Sequence, residues 1–238
     1  MAPFIVNYHG VGIVDKLPYI RLDNLLSRLS NRRISVMDIK LGTRSFHEST
    51  GNDERKVSYV RYIHELDPTH QFTESDLANG ITFDSYRQLV NDYSTSARLG
   101  YRIEGVSRYS SSGTCEKTDG DWLKKRIRTD QEIESFFASF FASSHHHQVL
   151  EQLKALRNAL SRSEWFYQHE LICSSLLIII AENNELDTLK MIDFGKARKH
   201  SNKRIHHDRY WSRGGNEDGV LIGLDNLIKM WSSLFQKE

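Results

Sequence analysis

The feature that most constrains this chain is the stretch Ser35–Ser45, "SVMDIKLGTRS", in which Val36, Asp38 and Lys40 alternate with Met37, Ile39 and Leu41. A period of two is a strand period, so the stretch predicts a β-strand over 34–41 with two unlike faces. One face is wholly apolar and must be covered. The other carries a carboxylate and an ammonium side by side, followed by Gly42. Such a pair is either a structural ion pair or part of a site that handles charge, and the motif alone leaves both readings open.

The composition belongs to a soluble globular protein: 238 residues, 39% apolar and 26% charged. A net charge of +1 argues against bulk nucleic-acid binding, which shows as a basic excess. The two cysteines, Cys115 and Cys173, stand far apart in unlike contexts, so reduced thiols and a cytoplasmic location are expected, with the nucleus as the alternative. "MAPFIVNYHG" has no basic region followed by an apolar stretch, so no secretory signal is read there. The longest apolar run, Leu176–Ala181, is too short to span a bilayer and reads as a buried strand.

Strands are expected over "FIVNYHGV" and "YIRLDNLL", with a turn between Gly12 and Pro18, then one or two helical turns in "DNLLSRLSNRR". Residues 47–99 read as a helical insert, because Val57, Val60, Ile63 and Leu66 recur at helical spacing. "LGYRIEGV" returns to alternation, with Tyr101, Ile103 and Gly105 on one face and Arg102 and Glu104 on the other. Residues 107–121 read as a turn-rich loop. Beyond it come the cationic "KKRIR" and a helix capped by Thr129-Asp130, with Ile133, Phe136, Phe137, Phe140 and Phe141 inward. A second helix carries the stripe Val149, Leu150, Leu153, Leu156 and Leu160. "HELICSSLLIIIAE" and "TLKMIDFGKA" read as antiparallel strands across "NNELD", and "GVLIGLDNLIKMWSSLF" as a closing helix. The run His145–His147 reads as solvated, since adjacent side chains diverge and cannot share one tetrahedral metal site.

Several of these features converge on phosphoryl transfer, which needs a metal ion on phosphate oxygens, cations for the charge and an acid near the attacking hydroxyl. Asp193 ends an apolar strand before Phe194 and Gly195, like the metal-binding Asp-Phe-Gly of protein kinases. Ser174 and Ser175 lie on its partner strand. With Asp38, Lys40, Arg102 and the "KKRIR" cluster, they form the set a polyanionic substrate requires. Each has a plainer reading too: a turn cap, an ion pair, a solvated face.

"SVMDIKLG" resembles the Pro-x-x-x-Asp-x-Lys-x-Gly signature of inositol polyphosphate kinases, and "ICSSLL" and "MIDFGKA" resemble that family's other landmarks. Through "LGYRIEGV", "KKRIRT", "IDFGKA" and "NEDGVLIGLDNL", the chain is most similar to the inositol 1,4,5-trisphosphate 3-kinases. The resemblance implies an α+β fold with two protein-kinase-like lobes, an ATP-grasp-like nucleotide site and a helical substrate-binding insert. It divides the chain into an N-lobe remnant and hinge, 1–33, and a C-lobe, 34–238, with the insert at about 47–98.

The resemblance also implies transfer from ATP, with Mg2+, to the 3-hydroxyl of inositol 1,4,5-trisphosphate. Asp38 would be the base or orienter and would touch the nucleotide. Lys40 would contact phosphate and neutralise transferring charge. Asp193 and Ser175 would serve the metal. Lys56, Arg102, Lys125, Arg126 and Lys196 match phosphate-holding positions, with Arg126 and Asp193 also on the nucleotide side. Asp23, Asn24 and Leu25 resemble the hinge that receives adenine and ribose. Calmodulin is an implied partner through the 56–66 helix; no nucleic acid and no membrane span are expected.

Three departures from the pattern stand out. Ile34 replaces the signature proline, which sets backbone geometry rather than chemistry. Two extra residues lie between hinge and Asp38. The chain also begins late, so the N-lobe is expected to be curtailed and its first strand exposed as an edge. A broader multikinase and a non-catalytic inositol-phosphate-binding pseudokinase are therefore the rival expectations.

Overall fold

Two successive left-handed residues, Asp15 (φ 50°) and Lys16 (φ 68°), close the first hairpin, in which β1 (Tyr8–Val14) pairs with β2 (Leu17–Leu22). Such a two-residue turn matches the twist of the strands it joins. Gly12 and Pro18, expected in the turn, lie inside the strands instead. The computed structural model describes residues 1–27, 33–48, 54–109, 114–140, 143–181 and 185–235. Of the expected helical turns at 23–33, residues 28–32 fall outside them, and Leu25–Ser27 form a short turn.

The predicted central strand is β3 (Ile34–Leu41). The segment after it is helical, as its spacing predicts: β4 (Arg55–Lys56), α1 (Val57–Leu66), α2 (Glu74–Asn79), β5 (Ile81–Thr82), α3 (Phe83–Tyr93) and α4 (Ser96–Leu99). It has its own small core, in which Val60, Ile63 and Leu66 of α1 meet Ile81 and Val90. Then come β6 (Tyr101–Tyr109) and β7 (Cys115–Thr118), which make a hairpin of much of the expected loop. The remainder is α5 (Gly120–Arg126), α6 (Asp130–Phe140), α7 (Ser143–Ser161), α8 (Glu164–Tyr167), β8 (His169–Glu170), β9 (Ser175–Ala181), β10 (Glu185–Ile192), β11 (Arg198–Lys199) and α9 (Val220–Phe235). Thr129 caps α6 as expected, its hydroxyl accepting from Glu132 N at 3.2 Å while Glu132 accepts from Thr129 N at 2.9 Å. Phe141 lies outside the described residues.

The strands β10-β9-β3-β6-β7 form one antiparallel sheet with β3 in the middle. Its apolar face, built from Met37, Ile39, Leu41, Tyr101, Ile103, Leu176, Ile178, Leu189 and Met191, packs under α6, α7 and α9. Each fully buried aliphatic side chain there contributes roughly 2 kcal/mol. The opposite face carries Asp38 and Lys40. His145 and His146, expected in solvent, are buried in the first turns of α7; only His147 is exposed. Three consecutive helical residues spread over about 200° of the helix, so two of the three reach the interior.

Backbones meet where α4 ends against α9. Gly100 (φ 71°) closes α4, and a Cβ on Gly223 would lie 2.0 Å from the Gly100 carbonyl oxygen. Gly223→Ala would gain about 1 kcal/mol of helix propensity. It would lose more, about 3 kcal/mol, by wedging apart two backbones that cannot yield like a side chain. The expected outcome is a net loss of about 2 kcal/mol in urea unfolding.

Candidate active site

The register between β3 and β6 slips once: Asp38 lies opposite Gly105, but Ile39 lies opposite Ile103. Glu104 is thus the extra residue of a β-bulge, a device that re-aims side chains. Gly105, expected on the Tyr101 face, is shifted to the Asp38 side, and Arg102 and Glu104 stay there. Lys40 lies opposite Arg102 on one flank and Ser175 on the other. Ile192 pairs with Ser175, so Asp193, the next residue, arrives beside the same serine. Asp193 holds a left-handed conformation (φ 66°, ψ 51°), which costs a non-glycine residue about 1 kcal/mol or more and is typical of functional turns.

The charges interlock. Glu104 accepts from Arg102 Nε at 2.7 Å with one oxygen and faces Lys40 Nζ at 3.8 Å with the other. Arg102 is 3% exposed and also donates to Ser96 Oγ at 2.7 Å, so it lies beneath the site rather than in its opening. Burial pushes the Asp38 carboxyl above its usual range; the Ser175 hydroxyl and Lys40 pull it down, and Glu104 and Asp193 push it up again. Burial also pushes Glu104 up, but Arg102, Lys40 and Lys124 outweigh it and hold that carboxyl low. Asp38 Oδ1 and the Ser174 and Ser175 hydroxyls are buried without a hydrogen bond of ordinary geometry. Buried polar atoms left in this way are uncommon and call for an explanation.

An apolar patch adjoins this cluster. Leu25, Ile34, Val36 and Leu177 pack around the buried Ile179 and Ala181. Asp23 accepts from Asn7 Nδ2 at 2.6 Å and pairs with His9, which ties the segment to the first hairpin. Asn24 Oδ1 accepts from Leu26 N at 3.0 Å and sets the local turn.

Lys56 is exposed on β4, its ammonium 5.9 Å from the Tyr59 ring. Tyr59 stacks on Tyr86, which meets Tyr62 edge-on. Tyr62 in turn donates to Asp121 Oδ1 at 2.5 Å, and Lys124 Nζ bonds Asp121 at 2.9 Å and Tyr62 at 3.3 Å. This network fastens the helical segment to α5. Lys124, missed in the sequence, is the cation of "KKRIR" that faces Glu104, while Lys125 and Arg126 are exposed and Arg126 leans over Trp122. Removing a hydrogen bond to a charged group releases roughly 1.5 kcal/mol. Tyr62→Phe is therefore expected to speed limited proteolysis within 54–99 by about tenfold.

Lys196 Nζ sits 3.8 Å from Cys173 Sγ, and its carbonyl accepts from His47 Nε2 at 2.8 Å, which anchors the turn after Asp193. Behind it lies a second cluster that the sequence did not reveal. Glu170 is buried and bonded to Arg44, with His200 at 3.1 Å and His47 at 3.4 Å. Burial alone would raise its carboxyl, but Arg44, His200 and His47 together hold it below its ordinary 4.5. A carboxyl lowered on folding adds stability above that ordinary value and loses it as pH falls through the folded value. Glu170→Gln should therefore flatten the decline in urea midpoint on acidification below pH 4.5.

A family model described as inositol polyphosphate kinase matches residues 19–232. The chain belongs to the inositol polyphosphate kinase family. Among its relatives, the inositol-trisphosphate 3-kinase homolog of Caenorhabditis elegans is 33% identical over 222 residues, 91% of this chain and 43% of that protein. Human inositol-trisphosphate 3-kinase B is 32% identical over 244 residues, 99% of this chain and 25% of that protein. Human inositol-trisphosphate 3-kinase A is 32% identical over 239 residues, 97% of this chain and 50% of that protein. The chain thus spans half or less of the length of these three relatives. A solved inositol phosphate multikinase superposes with a TM-score of 0.64 at 18% identity, covering 97% of this chain and 89% of that one. The Saccharomyces cerevisiae multikinase Ipk2, in complex with ADP and Mn2+, gives 0.63 at 17% identity, covering 98% and 90%. The α+β architecture is that of inositol polyphosphate kinases. Among the described residues no helix is long and apolar enough to cross a membrane.

Proposed function

We propose that this family member transfers the γ-phosphoryl group of ATP to the 3-hydroxyl of inositol 1,4,5-trisphosphate. The observation that carries the reading is the convergence of Asp38, Lys40, Ser175 and Asp193 on one sheet face, with Asp38 Oδ1 buried and without a hydrogen bond of ordinary geometry.

Those donors fit a magnesium ion. Among the described residues no three His, Cys, Asp or Glu side chains form a closed ligand set. Mg2+ does not ask for one: it keeps waters and shares phosphate oxygens beside one or two carboxylates. Asp193 and Ser175 would hold it, with Asp38 alongside; when bound, it neutralises charge on the transferring phosphates. Asp38 orients the acceptor hydroxyl and takes its proton, a task suited to a carboxyl raised above its usual range. Lys40 receives the phosphate charge beside it. Leu25 and the patch around Ile179 offer adenine an apolar surface, with Asp23 and Asn24 near the ribose. Lys56, Lys125, Arg126 and Lys196 supply phosphate contacts, and Arg102 supports them from below. Residues 1–33 act as hinge and upper lobe and 34–238 as the catalytic lobe, with the 47–98 segment as substrate lid.

A pseudokinase reading has one observation in its favour: Val11, Ile13, Leu17 and Ile20 of the first hairpin are exposed, which leaves the nucleotide side thinly covered. Calmodulin binding at 56–66 would require α1 to expose Val60, Ile63 and Leu66, which it now buries. The deciding experiment gives the purified chain Mg-ATP and inositol 1,4,5-trisphosphate and follows ADP. Acceptor-dependent ADP release with formation of a tetrakisphosphate is expected. Trisphosphate binding without ADP release would leave the binding-module reading in its place.

A further inference from the structure

The floor of the proposed acceptor site carries a carboxylate that the transfer reaction does not call for. Glu104 lies on the Asp38–Lys40 face as the extra residue of the bulge in β6, and its side chain is 29% exposed, between Lys40 and α5. One of its oxygens is committed to the buried Arg102 and the other faces Lys40 across 3.8 Å. Lys124 pulls on it from α5, and its charge is felt by Tyr62 of α1 and by Asp38. A negative group among these cations cancels part of the charge they could offer a polyphosphate. It also repels any phosphate brought close to it, at a separation where partly buried charges still interact strongly.

Resting on the trisphosphate reading above, we propose that Glu104 is the specificity-determining residue that limits how many phosphates an acceptor can carry. Lys40 faces the carboxylate, so an acceptor that sets a phosphate against Lys40 without crowding Glu104 is accepted. A more highly phosphorylated inositol must set another phosphate against Glu104. The bulge adds Gly105, which a regular β6 would place on the other face, to the Asp38 side beside Glu104.

Isothermal titration with inositol 1,4,5-trisphosphate and with inositol hexakisphosphate, at 0.15 M salt, tests the proposal on wild type, Glu104→Gln and Glu104→Asp. Gln keeps an oxygen for Arg102 Nε and removes the charge; Asp restores the charge. Glu104→Gln is expected to lower the ratio of hexakisphosphate to trisphosphate dissociation constants by about tenfold or more. Glu104→Asp should keep the wild-type ratio, as should Glu151→Gln, which makes the same change in net charge on an exposed part of α7. A ratio unchanged within about twofold in Glu104→Gln, or moved equally by Glu151→Gln, overturns the proposal. Thermal melts of each variant separate loss of fold from loss of discrimination. Wild-type turnover of the trisphosphate judges the kinase reading independently: turnover with an unmoved ratio defeats only the role of Glu104, and a moved ratio without turnover defeats only the transfer reaction.

Discussion

Asp38→Asn is expected to remove phosphoryl transfer while leaving the protein folded, with kcat down by about 10²- to 10⁴-fold, the range that a positioned general base supplies. Asn fills the same space on β3 and keeps the backbone ladder to β6 and β9, so the sheet has no reason to rearrange. Stability should move the other way. Burial dominates the environment of Asp38 and raises its carboxyl above the ordinary 3.8, so the ionised form opposes folding at neutral pH. A raised carboxyl loses stability as pH climbs from the unfolded value through the folded one. Asn removes that penalty, so the variant should melt no lower than wild type at pH 7. The difference should vanish below pH 3.8, where both forms of the wild type are protonated. Calorimetry across pH beside a coupled ADP assay reads both effects. A variant that loses activity only because it unfolds would contradict the account.

The largest loss of stability is expected outside that cluster, at Asp218. It is fully buried, and its carboxylate accepts from Leu171 N at 2.7 Å, Val220 N at 3.1 Å and His207 Nδ1 at 2.8 Å. His207, also fully buried, donates onward to the Phe166 carbonyl at 2.9 Å, and Thr43 N bonds the Asp218 carbonyl at 2.8 Å. Its side chain thus joins the start of α9 to the segment before β9 and to His207, while its backbone carbonyl holds the turn that follows β3. Asp218→Ala leaves several buried donors unpaired and should cost about 3–5 kcal/mol, a large share of a typical domain's stability. Asp225→Ala, which breaks an exposed pair with Arg157 at 2.7 Å, should cost less than about 1 kcal/mol. Urea unfolding of the two variants side by side separates the buried network from the surface pair.

Much of this was legible in the sequence because it depends on local period. The alternation from Ile34 to Leu41 gave the central strand and both of its faces, and the stripes in 57–66 and 149–160 gave their helices. Pairing register is not local, so the bulge opposite Asp38 was hidden, and with it the shift of Gly105. Helix phase decided which cation of "KKRIR" turns inward: Asp119 caps α5 with both of its early N–H contacts, and that fixes Lys124, not Lys125 or Arg126, toward Glu104. Burial of His145 and His146 and the gathering of Arg44, His47 and His200 around Glu170 depend on tertiary packing between distant segments. No periodicity reports such contacts.

In the proposed reaction, Asp38, Lys40, Ser175 and Asp193 together direct a phosphoryl group to one hydroxyl. The most direct measurement is the position of the new phosphate, read by two-dimensional proton–phosphorus NMR on the product made by the wild-type chain from Mg-ATP and inositol 1,4,5-trisphosphate. The account predicts a single tetrakisphosphate bearing its new group at the 3-position. A product phosphorylated elsewhere, or the absence of any product from folded protein that binds both substrates, would contradict it.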